Sequence, residues 1–528
     1  MGQKKIKVCI PTAGIGTRLG NLTKNLNKSL VEIDLKPAIA HIIDKFPTNS
    51  EFVIPLGYKG ELVKNFLKIA YPKKKFYFVN VKKFKGKGSG LGLTLLKAKK
   101  YLQSPFIFVS CDTIFEGKIP SLSKNWIGYS EKKNMNEYRG IGIDKKKIVL
   151  KFLNKKFNSG KYNKTYIGLA GIKDFQQFWK NMETNKSESI ELGEIYGLNK
   201  LNNKIHAKKF IWNDIGNLAA LNATKKKIKN NNKKFNILNK KNEKIWFIDN
   251  QIIKYFENDA IVKKRVRRAK ILQRYIPTLL KSTKNFYSYR MYNGTVFSKI
   301  NNLNVFKKLL NYIWQFHNIS KKNLNANYKQ KCMNFYKKKT FDRIKLFYKK
   351  FNLKDNSSSL NKTKTKKLKD LLNKLDWNYL AKGKIANFHG DLHFENILYS
   401  KKNKTFKLLD WREDFSNDIR YGDIYYDYAK LMHGILVSHE MVRKDKFKVL
   451  WNSNNIHFSI QKKKIYTSYL KYYLKWLQIK GLDIKKINLL TGLIFLNIAP
   501  LHHHPYSLFL YAIGKNIINN KYNYKKIN

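Results

Sequence analysis

Apolar and polar positions alternate with two different periods in the first 110 residues. Short apolar runs rich in Val, Ile and Phe predict β-strands at residues 6–11, 52–55, 76–79 and 106–110. Apolar residues spaced for one face of a helix predict α-helices at residues 37–46, 60–69 and 91–102. Strands alternating with helices predict a mainly parallel sheet in a three-layer α/β domain, where ligands bind at the carboxyl ends of strands.

A segment rich in Lys and Asn, ATKKKIKNNNKKFNILNKKNEK, interrupts this pattern and has little apolar periodicity, so we expect a linker there. The sequence after it, IWFIDNQIIKYF, predicts a β-hairpin that turns at Asp249 and Asn250. From Val305 onward helical patterns dominate. The predicted organisation is a domain at 1–222, a linker at 223–244 and an α+β domain at 245–528, with a small lobe at about 245–300 and a helical lobe at about 301–528.

The large net charge of the chain changes this picture little. Lys and Arg number 107 against 35 Asp and Glu, a formal net charge of +72. A basic chain favours nucleic acid or an anionic membrane as its partner when the charge forms a patch. Here the lysines spread from end to end beside Asn and Ile, which indicates a compositional bias of the whole chain. We therefore expect no nucleic-acid partner.

Cysteine usage and the chain's apolar stretches bear on its compartment. Cys9, Cys111 and Cys332 have no metal-like spacing, which argues against a disulfide framework and favours a reducing compartment. The N-terminus, MGQKKIKVCIPTAG, enters a strand without the apolar segment of a signal peptide. Residues 489–501 are apolar but interrupted and short for a bilayer. We expect a cytoplasmic protein without a membrane span, of undetermined oligomeric state.

Residues 387–400 read NFHGDLHFENILYS, and Asp410 follows a second apolar run. Phosphoryl transfer needs a carboxylate that orients the attacking hydroxyl and oxygen ligands that hold Mg²⁺ against a triphosphate. Asp391 and Asn396, five positions apart, can point from one tight loop into one cleft, with Asp410 as the second carboxylate. The alternative, a surface loop that contains HGD by chance, is disfavoured because two spaced elements occur together.

These elements resemble the catalytic and metal-binding loops of the aminoglycoside phosphotransferase and choline kinase group, a branch of the protein-kinase-like fold. The resemblance implies that Asp391 is the catalytic base and that Asn396 and Asp410 bind Mg²⁺. It also implies that Asp423, in YGDIYYDYAKL, braces the catalytic loop. Lys254, on the returning strand of the predicted hairpin, would contact ATP, with a surface lysine as the alternative.

A glycine-rich turn, AGIGTRLG, follows the first predicted strand. Such a turn lets backbone amides approach phosphate oxygens, and Gly14, Gly16 and Thr17 are the candidate contacts. Arg18 and Lys28 can neutralise a triphosphate. Glycines alone are weak evidence, but an Arg and a Lys at these offsets make the pattern specific.

This segment resembles the signature of nucleotidyltransferases that activate sugar 1-phosphates or phosphocholine. Asn27 and Ser29 stand where that family often has prolines beside the Lys. The resemblance implies a Rossmann-like mixed sheet in the N-terminal domain. It also implies that Gly88, Ser89 and Gly90 contact the nucleotide.

Two aspartates extend the resemblance: Asp112 ends the fourth predicted strand, and Asp214 lies in IWNDIGN. Two carboxylates on one Mg²⁺ allow a phosphate to attack the α-phosphorus and expel pyrophosphate without a protein nucleophile. The alternatives are a strand-end turn for Asp112 and a capping residue for Asp214. Glu194 is a candidate neighbour of the acceptor, with a helix surface as the alternative. Lys155 is a candidate ligand of the acceptor phosphate, with a solvated lysine as the alternative.

Together the two halves predict a bifunctional enzyme with Mg²⁺ as cofactor. The C-terminal half would phosphorylate a small alcohol, a sugar or an amino alcohol, with ATP. The N-terminal half would then transfer a nucleotidyl group from an NTP to the phosphorylated acceptor, which by resemblance implies precursors of cell-surface polysaccharide. One alternative keeps an active nucleotidyltransferase beside a degenerate, ligand-sensing kinase-like half, since no glycine-rich loop or helix glutamate accompanies Lys254. The other is a basic nucleic-acid-associated protein.

Overall fold

The computed structural model describes residues 5–131, 138–153, 164–201, 204–228, 242–317, 326–452 and 454–519. Contacts divide the chain into two compact units, Met1–Asp259 with Leu280–Tyr289 and Ala260–Leu279 with Arg290–Asn528. The predicted domain boundaries stay predictions. Residues 229–241 of the predicted linker, and Lys155, lie outside the described residues.

The first unit combines strands and helices in alternation. Its strands are β1 (Lys7–Cys9), β2 (Glu32–Ile33), β3 (Lys36–Pro37), β4 (Glu51–Leu56), β5 (Lys75–Asn80), β6 (Phe106–Val109), β7 (Thr113–Glu116), β8 (Trp126–Glu131), β9 (Ile141–Ile143), β10 (Val149–Phe152), β11 (Lys164–Ile172), β12 (His206–Lys209), β13 (Ile211–Asp214), β14 (Glu243–Ile248), β15 (Gln251–Phe256), β16 (Leu279–Ser282) and β17 (Phe286–Arg290). Its helices are α1 (Ala38–Ile43), α2 (Gly60–Ala70), α3 (Leu91–Ala98), α4 (Phe175–Thr184), α5 (Lys186–Leu192), α6 (Glu194–Asn199) and α7 (Leu218–Lys227).

Seven strands of the described part of this unit form one mixed sheet, in the order β12-β8-β11-β6-β1-β4-β5. The central strand β1 is parallel to both neighbours, with Val8 opposite Phe52 of β4 and Ile107 of β6. Strand β11 is antiparallel to β6 and β8, whereas β5 and β12 pair in parallel with β4 and β8. The predicted mainly parallel, Rossmann-like sheet is confirmed, and β1, β4, β5 and β6 fall on the four predicted strands.

Alternate residues of the strands belong to two separate apolar cores. Val8 and Ile107 pack with residues of α1 and α2, whereas Cys9 and Phe108 pack with residues of α3 and α4. Successive side chains of a strand point to opposite faces of a sheet, so helices cover both faces. Burial on both faces explains why these strands are continuous apolar runs, and the three-layer arrangement follows.

The predicted hairpin is formed by β14 and β15 and turns at Asp249, whose φ is +49°. Contacts group it with the first unit. The ring of Trp246 packs edge-on against Phe66 of α2, with 5.2 Å between centroids. Gln251 Nε2 donates to the carbonyl of Ala70 at 3.0 Å. The hairpin thus extends the apolar core beside α2.

The second unit is mainly helical, as the pattern after Val305 predicts, whereas its likeness to a kinase lobe stays a prediction. Its helices are α8 (Asp259–Leu272), α9 (Leu303–His317), α10 (Ala326–Met333), α11 (Lys339–Phe351), α12 (Leu368–Asn373), α13 (Trp377–Ala381), α14 (Ile424–Leu436), α15 (His439–Arg443), α16 (Lys464–Ile479), α17 (Ile484–Ile498) and α18 (Tyr506–Asn519). Its strands are β18 (Thr295–Val296), β19 (Ser358–Leu360), β20 (Thr363–Thr365), β21 (Ile385–Ala386), β22 (Ile397–Ser400), β23 (Thr405–Leu408), β24 (Gly422–Asp423), β25 (Phe447–Asn452) and β26 (Asn455–Ile460).

Helix α17 packs against α14 and α18, and every residue of α14 is buried. Among the described residues, the segment 484–501 is long and apolar enough to cross a membrane by length and composition, and 78% of it is buried within the fold. The apolar stretch is therefore longer than the sequence predicted, because helical structure continues past Asn497 and Pro500. Burial of this kind is also typical of a core helix.

Candidate functional site

Three predicted site residues of the first unit converge beside Gly216. A Cβ atom placed on Gly216 would lie 3.1 Å from Asp214 Oδ1, 3.4 Å from Arg18 Nη2 and 3.5 Å from Asp112 Oδ2. Lys28 Nζ donates to the same Asp112 oxygen at 2.8 Å. A side chain at position 216 would therefore crowd these polar groups. The structure thus brings together four residues from three distant parts of the sequence.

The sheet topology positions Asp112. It directly follows β6, whose parallel neighbour β1 leads into the glycine-rich turn, so both segments emerge at the same sheet edge. Ser110 Oγ donates to Asp112 Oδ1 at 2.5 Å, and Ile215 N donates to the Asp112 carbonyl at 3.3 Å. These bonds hold the carboxylate toward Asp214.

Asp214 ends β13, which pairs with β7 and lies opposite Thr113. Its Oδ1 accepts from Gly216 N at 2.9 Å, and its Oδ2 accepts from the Tyr138 hydroxyl at 3.0 Å. The alternative of a helix-capping role is wrong, because Asn217 caps α7 by accepting from Ala220 N at 2.9 Å.

Asn27, which replaces the expected proline, has a role that the sequence did not reveal. Its buried side-chain amide donates to the carbonyls of Thr12 at 2.9 Å and Tyr58 at 2.6 Å, and its oxygen accepts from Ser29 N at 2.9 Å. It therefore caps the short 3-10 helix Lys28–Leu30 and ties it to the segments after β1 and β4. The amide replaces proline's conformational restraint by hydrogen bonds and directs Lys28 toward Asp112.

Electrostatics keep the Lys28–Asp112 pair ionised. Burial acts to raise the pKa of Asp112, but Lys28 and the bond from Ser110 outweigh it and hold the pKa at about 2. Burial acts to lower the pKa of Lys28, and Asp112 reverses this, so the pKa of Lys28 is raised. Both groups are charged at neutral pH, so the site holds a fixed cation beside a fixed anion.

The predicted phosphate turn is open to a ligand. Gly14 and Thr17 are exposed, and a Cβ on Gly14 would meet no described atom within 4 Å. Gly16 has a φ of +74°, and a Cβ there would lie 2.8 Å from Lys28 Cβ. The glycine at that position therefore lets Lys28 approach the turn.

The second glycine-rich segment has a packing role. Ser89 Oγ donates to the Gly86 carbonyl at 2.7 Å, and a Cβ on Gly90 would lie 2.5 Å from the Ile190 carbonyl oxygen of α5. Close helix packing is thus sufficient reason for Gly90. Contact of Gly88, Ser89 and Gly90 with a nucleotide stays a prediction.

Glu194 begins α6 and is 6% exposed, so the alternative of a helix surface is wrong. Burial raises the pKa of its carboxyl to about 7, against the opposing effects of Arg139 and Tyr166. Asp112 contributes to this upward shift of the pKa of Glu194.

In the second unit, Asp391 lies in the predicted loop and is ion-paired. Lys430 Nζ is 2.8 Å from Asp391 Oδ1, and Asn396 Nδ2 donates to Asp391 Oδ2 at 3.2 Å and to its carbonyl at 2.9 Å. Burial acts to raise the pKa of Asp391, but Lys430 and His393 hold it well below its usual range. The carboxylate is therefore ionised and oriented.

Two backbone bonds place the Asp410 segment beside this loop. Leu409 N donates to the Asn396 carbonyl at 2.7 Å, and Arg412 N donates to the His389 carbonyl at 2.8 Å. Asp410 has a φ of +56°, a left-handed conformation that non-glycine residues adopt rarely. Such strain clusters at functional sites. The predicted grouping of Asp391, Asn396 and Asp410 is thus geometrically consistent.

The carboxylate that braces the loop is Asp427, not Asp423. Asp427 accepts from His389 N at 2.6 Å and from Gly390 N at 2.7 Å. Asp423 lies one turn earlier, where it caps α14 and accepts from the Tyr336 hydroxyl at 2.7 Å. The sequence does not distinguish the two aspartates, because positions four apart on one helix share a face.

Arg268 of α8 is a positioning residue that the sequence did not reveal. Its guanidinium is fully buried and donates to the carbonyls of Phe388, Arg412 and Ile419, the last at 3.1 Å. It thus joins the HGD loop to the segment after β23. Helix α8 lacks the glutamate expected beside an ATP lysine, but it contributes this arginine.

Lys254 lies on β15 and is 2% exposed, so the alternative of a surface lysine is wrong. Its predicted contact with ATP stays a prediction.

Both carboxylate sites fit Mg²⁺ chemically. Asp112 and Asp214 in the first unit, and Asp410 with the Asn396 amide in the second, supply the oxygen ligands that Mg²⁺ prefers. Among the described residues no group of three or more His, Cys, Asp or Glu side chains is arranged for a metal. Two protein ligands per site agree with Mg²⁺ that shares its coordination with substrate phosphates.

No protein-family model matches the chain. Over 217 residues, 39% of the chain, it is 30% identical to the bifunctional protein GlmU of Methanococcus vannielii and covers 50% of that protein. Over 158 residues, 29% of the chain, it is 23% identical to the D-glycero-α-D-manno-heptose 1-phosphate guanylyltransferase of Campylobacter jejuni, covering 70% of it. A crystal structure of apo UDP-glucose pyrophosphorylase aligns with 42% of this chain and 97% of its own, at 17% identity and a TM-score of 0.37.

The chain therefore spans about half the length of its GlmU relative. Its N-terminal part is nucleotidyltransferase-like, as the resemblance implies. The kinase-like resemblance of the C-terminal part stays a prediction.

Proposed function

We propose that the first unit transfers a nucleotidyl group from an NTP to a small phosphorylated acceptor. The observation that carries this proposal is the convergence of Arg18, Lys28, Asp112 and Asp214 around the space beside Gly216. The guanylyltransferase relative, named for a heptose 1-phosphate, supports a sugar 1-phosphate as the acceptor.

The chemistry follows from these charges. An acceptor phosphate oxygen attacks the α-phosphorus, the new P–O bond forms, and the bond to the bridging oxygen breaks as its electron pair leaves with pyrophosphate. Arg18 and Lys28 bind the phosphates and stabilise the charge that develops on the leaving group. Asp112 and Asp214 would hold Mg²⁺, which neutralises phosphate charge. No protein nucleophile takes part.

The test is pyrophosphate release by the full chain with Mg²⁺, a set of four NTPs and sugar 1-phosphates or phosphocholine. We expect release with at least one pair and its loss in Asp112→Asn. Asp144→Asn is a matched control, because Asp144 lies in the turn after β9. Absence of pyrophosphate with every pair would overturn the proposal.

A second activity, phosphoryl transfer from ATP to a small alcohol, is favoured by the loop geometry in the second unit. Asp391 would accept the hydroxyl proton while the alcohol oxygen attacks the γ-phosphorus, and the bond to the β–γ bridging oxygen breaks to release ADP. Asn396 and Asp410 would hold Mg²⁺, which neutralises the transferring phosphate. Lys430 keeps Asp391 ionised and oriented.

ADP formation tests this second activity independently. We expect Asp391→Asn to abolish ADP formation and leave pyrophosphate release intact, with the converse for Asp112→Asn. Binding of ATP or of the alcohol without formation of ADP would favour the alternative of a ligand-sensing, degenerate kinase-like half. Salt-sensitive retention on RNA with neither product would favour the nucleic-acid alternative. If both activities hold, the kinase product has the phosphate that the transferase needs, and the predicted role in polysaccharide precursors becomes testable.

A further inference from the structure

Four cationic side chains of the second unit act on one another electrostatically: Lys339, Arg343, Arg412 and Lys430. Asp391 of the HGD loop acts on Lys339 and is paired with Lys430. Arg412 lies against the loop itself, because a Cβ on Gly390 would be 2.6 Å from Arg412 Cβ. Arg412 and Lys339 share the ring of Phe335, with the guanidinium carbon 5.0 Å and the ammonium 4.4 Å from its centroid. The two cations thus flank one aromatic ring beside Asp391.

Few acids act on this group: Asp391 and Glu413 raise the pKa of Arg412, and Asp342 acts on Arg343. Lys430 pairs with Asp391. In the part of the chain that the structure describes, no carboxylate lies within 4.0 Å of the charged nitrogens of Lys339, Arg343 or Arg412. Burial, and then repulsion from Arg412, Lys430 and Arg343, lower the pKa of Lys339 well below its ordinary value. Half-buried cations in mutual repulsion favour an anion between them.

The lysine bias of the chain does not explain this group. Only 11 of the 107 basic residues are arginines, and two of these, Arg343 and Arg412, lie here. Arginine offers a planar, bidentate fork that matches carboxylate and phosphate groups. Lys339 and Arg343 also line one surface cavity, whose carboxylate, Asp342, is already paired with Lys338 at 2.9 Å.

We infer that the acceptor of the second unit is an anionic alcohol, whose carboxylate or phosphate group is bound by Lys339, Arg343 and Arg412 while its hydroxyl faces Asp391. This inference rests on the proposed phosphotransfer and names its substrate class. A cationic amino alcohol is disfavoured, because the same charges repel it. The expected acceptor is therefore a sugar acid or a sugar phosphate with a free hydroxyl.

A matched acceptor series tests the inference with the full chain, ATP and Mg²⁺. The series is glucose, glucosamine, glucuronate and glucose 6-phosphate, with ADP formation and calorimetric binding as readouts. We expect kcat/KM at least about tenfold higher for an anionic member than for glucose or glucosamine, since charge-assisted pairs are the strong ones. Glucuronate against glucose 6-phosphate separates carboxylate from phosphate recognition.

The outcomes distinguish the two proposals. Turnover of glucose or glucosamine in preference to both anions would overturn the inference and leave the phosphotransfer intact. Binding of an anion without ADP would support the anion site and contradict the phosphotransfer. If neither anion is bound or turned over, the inference is overturned.

Variants identify the residues. We expect Arg343→Gln and Arg412→Gln to raise KM for the anionic acceptor about tenfold and change KM for ATP less than about twofold. Lys345→Gln is the matched control, an exposed lysine on the same helix α11. Arg343→Lys retains the positive charge and serves as a control for misfolding. We expect its KM for the anionic acceptor to lie between those of the natural sequence and Arg343→Gln. A rise in KM for ATP with unchanged acceptor preference would show that these cations bind the triphosphate, and would overturn the inference.

Discussion

Lys28 Nζ lies 2.8 Å from Asp112 Oδ2, and this ion pair joins the 3-10 helix Lys28–Leu30 to the end of β6. The Lys28 and Asp112 side chains are 20% and 17% exposed, so most of the pair is shielded from water. Its members are separated by 84 residues in sequence. The pair therefore depends on the parallel pairing of β1 and β6.

Removing the cation should weaken both stability and transfer. We expect Lys28→Gln to raise the pKa of Asp112 above about 2, because only the hydrogen bonds from Ser110 and the backbone then oppose burial. Loss of a partner from a largely buried pair should cost about 1–3 kcal/mol in unfolding free energy. Pyrophosphate release should fall about 100-fold. Lys24→Gln, an exposed neighbour, is the control; equal losses in both variants would contradict the assigned role.

Asn27 offers a separate test of how Lys28 is positioned. Asn27→Ala removes the bonds to the buried carbonyl of Thr12 and to the partly buried carbonyl of Tyr58. We expect a loss of about 2 kcal/mol in unfolding free energy, with a lower kcat for pyrophosphate release. Urea unfolding measures the first effect. Asn21→Ala, on the same segment and exposed, should leave both unchanged.

The sequence predicted what depends on local periodicity and short motifs. Apolar runs located β1, β4, β5 and β6, because burial on both faces produces them. Short motifs located Asp112, which follows a predicted strand, and Asp391, which lies in one tight loop.

Residues whose role depends on distant backbone could not be predicted. Arg268 donates to three carbonyls at least 120 residues away, and no local pattern specifies such partners. No feature of the sequence distinguishes Lys430 from the many other lysines. Asn27 stood out only as a departure from a motif, and its partners appear only when the strands are assembled.

The Lys430–Asp391 pair predicts a shift in the pH dependence of ADP formation. Lys430 helps hold the pKa of Asp391 below its usual range, so Lys430→Met should raise that pKa. Because the ionised carboxylate is the active form, the acid limb of the kcat/KM profile should move to higher pH. Lys430→Arg keeps the charge and should leave the limb near its original position. An unmoved limb in Lys430→Met would refute this electrostatic role.

Arg268 should affect one activity only. Arg268→Met leaves the carbonyls of Phe388, Arg412 and Ile419 without their buried donor. We expect kcat for ADP formation to fall about 10- to 100-fold, because small displacements of a catalytic loop are costly. Pyrophosphate release should stay unchanged, and Arg267→Met, an exposed neighbour, is the control. Equal loss of both activities would indicate general unfolding instead.

Glu194 predicts a pH-dependent stability. Its pKa of about 7 in the folded protein exceeds the ordinary 4.5, so the folded state binds a proton that the unfolded chain releases. The contribution of this proton to the unfolding free energy is therefore fully present below about pH 4.5. It declines as pH rises and is lost above about pH 7. The difference corresponds to about 3 kcal/mol.

Glu194→Gln removes the ionisation and should remove this decline. We expect the variant to be more stable than the natural sequence at pH 8, by up to about 3 kcal/mol, and nearly equal to it at pH 4.5. Urea unfolding at both pH values measures the difference. Glu191→Gln, exposed at the end of α5, is the control and should show no such pH dependence. A constant difference between Glu194→Gln and the natural sequence from pH 4.5 to 8 would mean that Glu194 is ionised in the fold.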